Sequence, residues 1–184
     1  DRPKMTPFRI LIDKREQTPL PFPPSVPTAA ATLYPGDYSI EGYEHEFAIE
    51  RKSLEDLVGS LIGHKEQADG SRRYNRDRLI EELTAMDGHR FRWVIVTSPR
   101  SKLEAHYYTS RIEPANVIGM IASIEALTGV QFKFFDSPNE AARWVAVEAL
   151  HFWRMRNGLS TLRPKLHADR LAPRTQDAPK PPTA

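Results

Sequence analysis

Asp13, Asp37, Glu50 and Lys52 carry the chemistry most worth following in the first third of the chain. Asp13 ends the apolar run Phe8-Arg9-Ile10-Leu11-Ile12-Asp13, and Asp37 follows Gly36. Glu50 and Lys52 sit two apart in Phe47-Ala48-Ile49-Glu50-Arg51-Lys52. Side chains alternate faces along a strand. Glu50 and Lys52 therefore share one face with Ala48, while Phe47, Ile49 and Arg51 share the other. Asp37 precedes Glu50 by 13 residues, a distance that a hairpin folds back on itself. Two carboxylates and one ammonium can then meet at one point. Two acidic oxygens at one locus repel each other unless a cation sits between them. Hard oxygen donors suit Mg²⁺ or Mn²⁺, and a lysine beside such an ion can orient an attacking water or help to deprotonate it. This is a minimal apparatus for metal-assisted phosphodiester hydrolysis. The same residues also have a plain structural use, because charged side chains commonly occupy the solvent face of an antiparallel strand and a cross-strand Asp–Lys pair supports a sheet.

Several elements must position these groups. Residues 8–13 read as a buried strand. Pro19, Pro21, Pro23, Pro24 and Pro27 then predict an extended surface loop, since proline fixes φ and lacks the amide proton. Residues 33–40 and 47–52 predict an antiparallel hairpin, with Asp37 in its first strand. Ser53 opens a helix whose Leu54, Leu57, Val58, Leu61 and Ile62 form one apolar stripe, and Gly63 stops it. Residues 64–74 are polar and read as a loop. Residues 75–86 form a second amphipathic helix with Leu79, Ile80, Leu83 and Met86 inward, and 91–98 a buried strand. After an irregular stretch, 99–112, Pro114 starts a helix that Gly129 ends. Residues 130–136 are a strand, and Ser137-Pro138-Asn139-Glu140 opens a long helix reaching about Asn157. The order is that of an α/β layered fold, a hairpin-bearing sheet that becomes parallel, with helices on its faces.

Gly36-Asp37-Tyr38, then Glu50-Arg51-Lys52, three residues and Asp56, resembles the motif of the XPF-type structure-specific nucleases: GD, a gap, ERK, three residues, D. Asp13-Lys14-Arg15-Glu16 after an apolar strand resembles that family's upstream element. The resemblance spans about residues 8–157 and is strongest in 8–62. It implies a three-layer, restriction-endonuclease-like fold with a central mixed sheet, and Mg²⁺-dependent cutting of branched or flap DNA, with Mn²⁺ as a substitute ion. Carried over residue by residue, Asp37 and Glu50 would be metal ligands, and the Arg51 carbonyl would complete the shell. Lys52 would act on the water or the scissile phosphate. Asp13 would be a ligand or a carboxylate just behind the ligands. Arg15 and Arg51 would steady the acidic cluster or reach phosphate, with Glu16 in support. Asp56 also fits a helix capping box with Ser53, which accounts for it without catalysis.

Arg72, Arg73, Arg76 and Arg78, with Tyr74 among them, run into the second helix and are candidate phosphate contacts, because a helix N-terminus favours anions. Glu66, Asp69 and Asp77 dilute that charge, as they would on an ordinary solvated face. Trp93, Trp144 and Trp153 read as core, with Phe152 and Trp153 the alternative mark of a dimer surface. The chain lacks the helicase part and the tandem helix-hairpin-helix domain of the best-known family members, so a second copy or a separate DNA-binding partner is the expected source of further grip. The compact form resembles stand-alone bacterial or phage versions, which implies a cytoplasmic microbial protein. A non-catalytic DNA-binding or scaffold domain of the same fold is the alternative function. A partner-binding module acting through the proline-rich 19–27 loop and the tail, 159–184, is a third.

Composition sets the outer limits. The 184 residues carry 26 Lys+Arg and 24 Asp+Glu, a net charge of +2. Residues 1–158 hold 21 and 22 of these, and residues 159–184 hold 5 and 2. The domain is therefore expected over 1–158, followed by a flexible, basic, proline-rich tail whose composition cannot offset its ordering entropy. The absence of cysteine excludes a disulfide scaffold, a zinc finger and a thiol nucleophile. No apolar run approaches the roughly 20 residues of a membrane span.

Overall fold

The computed structural model describes residues 7–160. In chain order the elements are β1 (Ile10–Asp13), β2 (Thr28–Ala31), β3 (Tyr38–Ile40), β4 (Phe47–Lys52), α1 (Leu54–Ile62), β5 (His64–Glu66), β6 (Arg72–Tyr74), α2 (Asn75–Thr84), β7 (Phe91–Val96), α3 (Arg100–Glu104), α4 (Pro114–Thr128), β8 (Gln131–Phe134) and α5 (Pro138–Arg156). Six strands form the main sheet in the order β2-β1-β3-β4-β7-β8. β3 pairs antiparallel with β1 and β4, whereas β4, β7 and β8 run parallel. The hairpin followed by a parallel half matches the order read from the sequence.

Alternation along β4 sorts the layers. Phe47 and Ile49 join Ile10, Tyr38, Ile40 and Ile95 beneath α5, where Val145, Ala149, Phe152 and Trp153 close one core. Ala48 faces the other way, into a core built by α1, α2 and α4 through Leu57, Val58, Leu79, Leu83, Val117 and Ile121. Glu50 and Lys52 follow Ala48 on this second face, at the margin of that core. Phe152 and Trp153 are buried, as the core reading expects, and Trp144 packs edge-on to Trp93 with ring centroids 5.6 Å apart.

Helix ends follow their sequence cues. Ser53 Oγ accepts from the Asp56 amide at 3.1 Å and donates to Asp56 Oδ2 at 2.6 Å. Ser137 Oγ accepts from the Glu140 amide at 3.2 Å, with Pro138 in the first turn of α5.

Four segments differ from expectation. Residues 28–31 are a strand although Ala29, Ala30 and Ala31 have little intrinsic strand preference. β1 offers a free edge, and backbone pairing with it sets the parallel register Ile10↔Thr28 to Asp13↔Ala31. The proline-rich segment is not purely a surface loop. Leu20 is buried, its amide donates to the Tyr38 hydroxyl at 2.9 Å, and Phe22 packs on the Tyr38 ring. Residues 64–74 are a hairpin, β5–β6, rather than a loop, and 99–112 contains the one-turn helix α3. The tail beyond residue 160 lies outside the described residues. No helix among the described residues is long and apolar enough to cross a membrane.

Leu57 is fully buried between α1 and α2. Leu57→Ala is expected to destabilise the domain by about 2–5 kcal/mol, read as a lower urea midpoint with an unchanged slope.

Candidate functional site

The site is built where β1, β3 and β4 meet. Gly36 precedes Asp37 with φ +88°, a left-handed conformation that glycine adopts without a steric cost. An added Cβ there would lie 3.0 Å from the Ile49 carbonyl oxygen. This close approach lets the Asp37 amide donate to Ile49 O at 2.8 Å, while the Asp37 carbonyl accepts from the Asp13 amide at 2.8 Å. Asp37 itself stands one residue before β3, not inside it. Its Oδ2 accepts from the Arg51 amide at 2.8 Å. One residue thus ties β1 to β4 through both its backbone and its side chain.

Asp37, Glu50 and Lys52 open into one cleft of about 260 Å³, lined also by Asp13, Arg15, Tyr34, Arg78 and Glu82. Lys52 Nζ donates to Glu50 Oε1 at 3.2 Å. Among the described residues, Asp37 Oδ1 and Glu50 Oε2 accept no hydrogen bond. Burial pushes the Asp37 carboxyl up, against the opposing Arg51 amide bond. Burial pushes Glu50 up to about 7, and the adjacent Asp37 charge adds to this despite Lys52. The pair is short of positive charge, and that is the electrostatic condition under which a cation is bound.

The donor set fits the kind of metal that the sequence implies. No group of three or more His, Cys, Asp or Glu converges on a metal geometry among the described residues. Two carboxylates suffice for Mg²⁺, which usually retains several waters and is held by one or two carboxylates with substrate phosphate. The two unpaired oxygens therefore suit a hard divalent ion.

Asp13 is bonded differently. Its Oδ1 accepts from the Arg15 amide and from Arg15 Nε, both at 2.8 Å, and its Oδ2 accepts from the Leu33 amide at 2.6 Å. Burial opposes ionisation of Asp13, but the Arg15 side chain and the two amides outweigh it and hold the carboxyl below its ordinary range. Of the two roles expected for Asp13, this bonding fits support behind the ligands. Arg15 is mostly exposed at the cleft and also donates to Leu33 O at 2.7 Å. The Arg51 guanidinium lies on the opposite face of β4, where Nε meets Glu16 Oε2 at 3.0 Å. Glu16 and the Arg51 side chain thus brace the sheet from behind. Asp56 is occupied by the α1 cap.

The arginine cluster divides. Arg78 lies at the cleft, paired with Glu82 at 3.2 Å. Arg76 lines a separate apolar groove between α2 and α4 with Ile80 and Ile112. Arg72 and Arg73 sit on β6, where Arg73 pairs with Glu81 at 2.6 Å. Sequence reasoning missed Glu82, Asn75 and Lys65. The last two line a trough of about 440 Å³ that adjoins the cleft and shares Lys52, Arg78 and Glu82 with it. Asn75, Arg78 and Glu82 recur at i, i+3 and i+7 on α2, a helical spacing that was visible in the sequence. Lys65 had no such cue.

Gly36→Ala is expected to destabilise the domain by about 1–3 kcal/mol through backbone strain, measured by thermal unfolding. Glu50→Gln is expected to do the reverse in metal-free buffer. The folded-state pKa of Glu50 lies above its ordinary 4.5, so the ionised carboxylate opposes folding at high pH, and the opposition fades as pH falls through about 7. The variant should exceed the parent in stability by on the order of 1–3 kcal/mol above pH 8 and match it in acid. A variant less stable than the parent at pH 8 would refute the assigned repulsion.

Residues 12–147 match the ERCC4 domain. Among solved structures, the chain is similar to XPF from Aeropyrum pernix, with a TM-score of 0.57 and 20% identity over 81% of this chain and 65% of that one. XPF from Aeropyrum pernix in complex with DNA gives a TM-score of 0.56 and 20% identity, over 85% and 68%. The chain thus spans about two thirds of the length of those chains, and the likeness at this identity is one of fold. No curated protein gives a significant match. With the family match extending over most of the chain, and with a mixed sheet flanked by helices, this chain belongs to the ERCC4 domain family of XPF-type nucleases.

Proposed function

We propose that the chain is a divalent-metal-dependent DNA endonuclease that hydrolyses phosphodiester bonds in branched, flap or otherwise structured DNA. The observation that carries this reading is the convergence of Asp37, Glu50 and Lys52 on one open cleft. Membership of a family of endonucleases that are generally divalent-metal dependent supports it. The DNA complex of the similar Aeropyrum pernix protein supports nucleic acid as the partner.

In this reading Asp37 and Glu50 would hold the ion, Mg²⁺ or Mn²⁺. When bound, such an ion lowers the pKa of a coordinated water and offsets charge developing on the phosphate. The chain's own residues do the rest. The Arg51 amide orients the Asp37 carboxylate by binding Oδ2 and leaves Oδ1 uncommitted at the cleft. Lys52, held by Glu50, donates a hydrogen bond to the attacking water or to a non-bridging phosphate oxygen. Arg78 and Arg15, which both line the cleft, hold the flanking phosphates. The attacking water gives up one proton to solvent as its oxygen bonds to phosphorus, one P–O ester bond breaks, and the departing alkoxide takes up one proton from solvent.

The test is cleavage of fork, flap, four-way-junction and linear DNA with Mg²⁺, Mn²⁺ or chelator. Asp37→Ala, Glu50→Ala and Lys52→Ala should each lower the rate by about 100-fold or more while leaving the far-UV circular dichroism unchanged. Chelator should abolish cutting. Full activity in Asp37→Ala or Glu50→Ala would defeat the assignment. Binding of structured DNA that never leads to cutting with either ion would favour the non-catalytic alternative.

A further inference from the structure

The β5–β6 hairpin has no part in holding the domain together. All six of its strand residues are exposed, and none of residues 64–74 belongs to either apolar core. A two-stranded ribbon is marginal by itself in water. This one is nonetheless well built. The Gln67 amide donates to Ser71 O at 2.8 Å, Gly70 turns with φ +80°, and Asp69 Oδ1 accepts from the Ser71 amide at 2.9 Å. At its base the Asn75 amide donates to Gly63 O at 2.8 Å. The hairpin is thus ordered, anchored between α1 and α2, and free to face a ligand.

Its register decides what each face offers. His64 stands opposite Tyr74, Lys65 opposite Arg73, and Glu66 opposite Arg72. Opposed residues share a face, so Lys65 and Arg73 lie on one side and His64, Tyr74, Glu66 and Arg72 on the other. The first side faces α2, since Arg73 bonds to Glu81 and Lys65 lines the trough that runs into the cleft. On the second side the rings of His64 and Tyr74 lie with centroids 6.0 Å apart, and Tyr74 is 47% exposed. Lys65 and Arg72 make no ion pair among the described residues. An exposed aromatic pair with an arginine on the same face is the chemistry that binds an unstacked base and its phosphate. A duplex keeps its bases stacked on each other and could use only the cations.

We propose that the β5–β6 hairpin is a stacking arm for an unpaired nucleotide segment, with Tyr74 and His64 against a base, Arg72 on the same face against the adjoining phosphate, and Lys65 on the other face guiding the strand onward along the trough. This rests on the nuclease reading of the neighbouring cleft, because the trough at Lys65 leads the bound strand there. It names which part of the substrate is single-stranded, the part that leaves the cleft between α1 and α2.

The test is fluorescence anisotropy of the full chain in EDTA with a labelled single-stranded oligonucleotide and with the duplex of the same sequence. Tyr74→Ala should weaken single-strand binding by about tenfold and leave duplex binding within about twofold of the parent. Tyr74→Phe, which keeps the ring, should bind like the parent. Arg72→Ala should weaken both ligands and reduce the salt dependence by about one counterion. The hairpin is outside both cores, so unchanged melting temperatures are expected to accompany these losses. Parent-like single-strand binding by Tyr74→Ala, an equal loss on duplex, or no binding of single strand by the parent would each overturn the proposal. The assay requires no cleavage, so the arm and the cleft stand or fall separately. Tyr74-dependent binding without metal-dependent cutting would remove the nuclease reading and leave a single-strand binding arm. Lys52-dependent cutting with Tyr74-independent binding would do the opposite.

Discussion

Asp37 is the point through which the site is strained and secured at once. Its amide reaches β4, its carbonyl reaches β1, and its Oδ2 takes the Arg51 amide. These bonds hold one carboxylate in a fixed orientation beside a second, Glu50, on a partly buried sheet surface. Burial in that setting raises the proton affinity of both carboxyls, the Asp37 charge raises that of Glu50 further, and the ionised pair opposes folding. The domain tolerates this because two apolar cores lie on either side of the same strand, and because Lys52 supplies one positive charge. The arrangement is held by the scaffold rather than by mutual attraction of its parts.

The two faces of β4 divide the work. Ala48, Glu50 and Lys52 alternate toward α1 and α2, where a small residue gives way to charged ones as the core ends and the cleft begins. Phe47, Ile49 and Arg51 alternate toward α5, where two large apolar side chains are followed by the Arg51–Glu16 ion pair. Arg51 therefore serves both sides. Its amide orients Asp37 toward the cleft while its guanidinium anchors Glu16 behind the sheet. Asp13 does comparable work on β1, holding Leu33 and Arg15 and so the loop that delivers Gly36.

Legibility followed the locality of the cause. The strand at 47–52, the caps at Ser53 and Ser137 and the stops at Gly63 and Gly129 rest on neighbours in sequence, and they lie where their patterns put them. β2 did not show, because Ala29, Ala30 and Ala31 become a strand only through the edge that β1 presents. The β5–β6 hairpin did not show either, since its polar residues alternate no apolar face that a pattern could detect. Arg76 and Arg78 looked equivalent in the sequence. Two positions along a helix rotate a side chain by about half a turn, and so one faces the cleft and the other a groove against α4.

The sequence by itself determined the order of the principal strands and helices, the α/β layering and the identities of Asp37, Glu50 and Lys52 as charged groups that could meet, because periodicity and short-range spacing encode these directly. Only the tertiary structure decided that Asp13 is saturated by Arg15 and Leu33, that Arg51 turns away toward Glu16, and that Glu82 and Lys65 join the cleft and its trough. Each of those outcomes depends on a contact between segments far apart in the chain. Such contacts form only when both cores have packed and fixed the relative height and rotation of β1, β4 and α2.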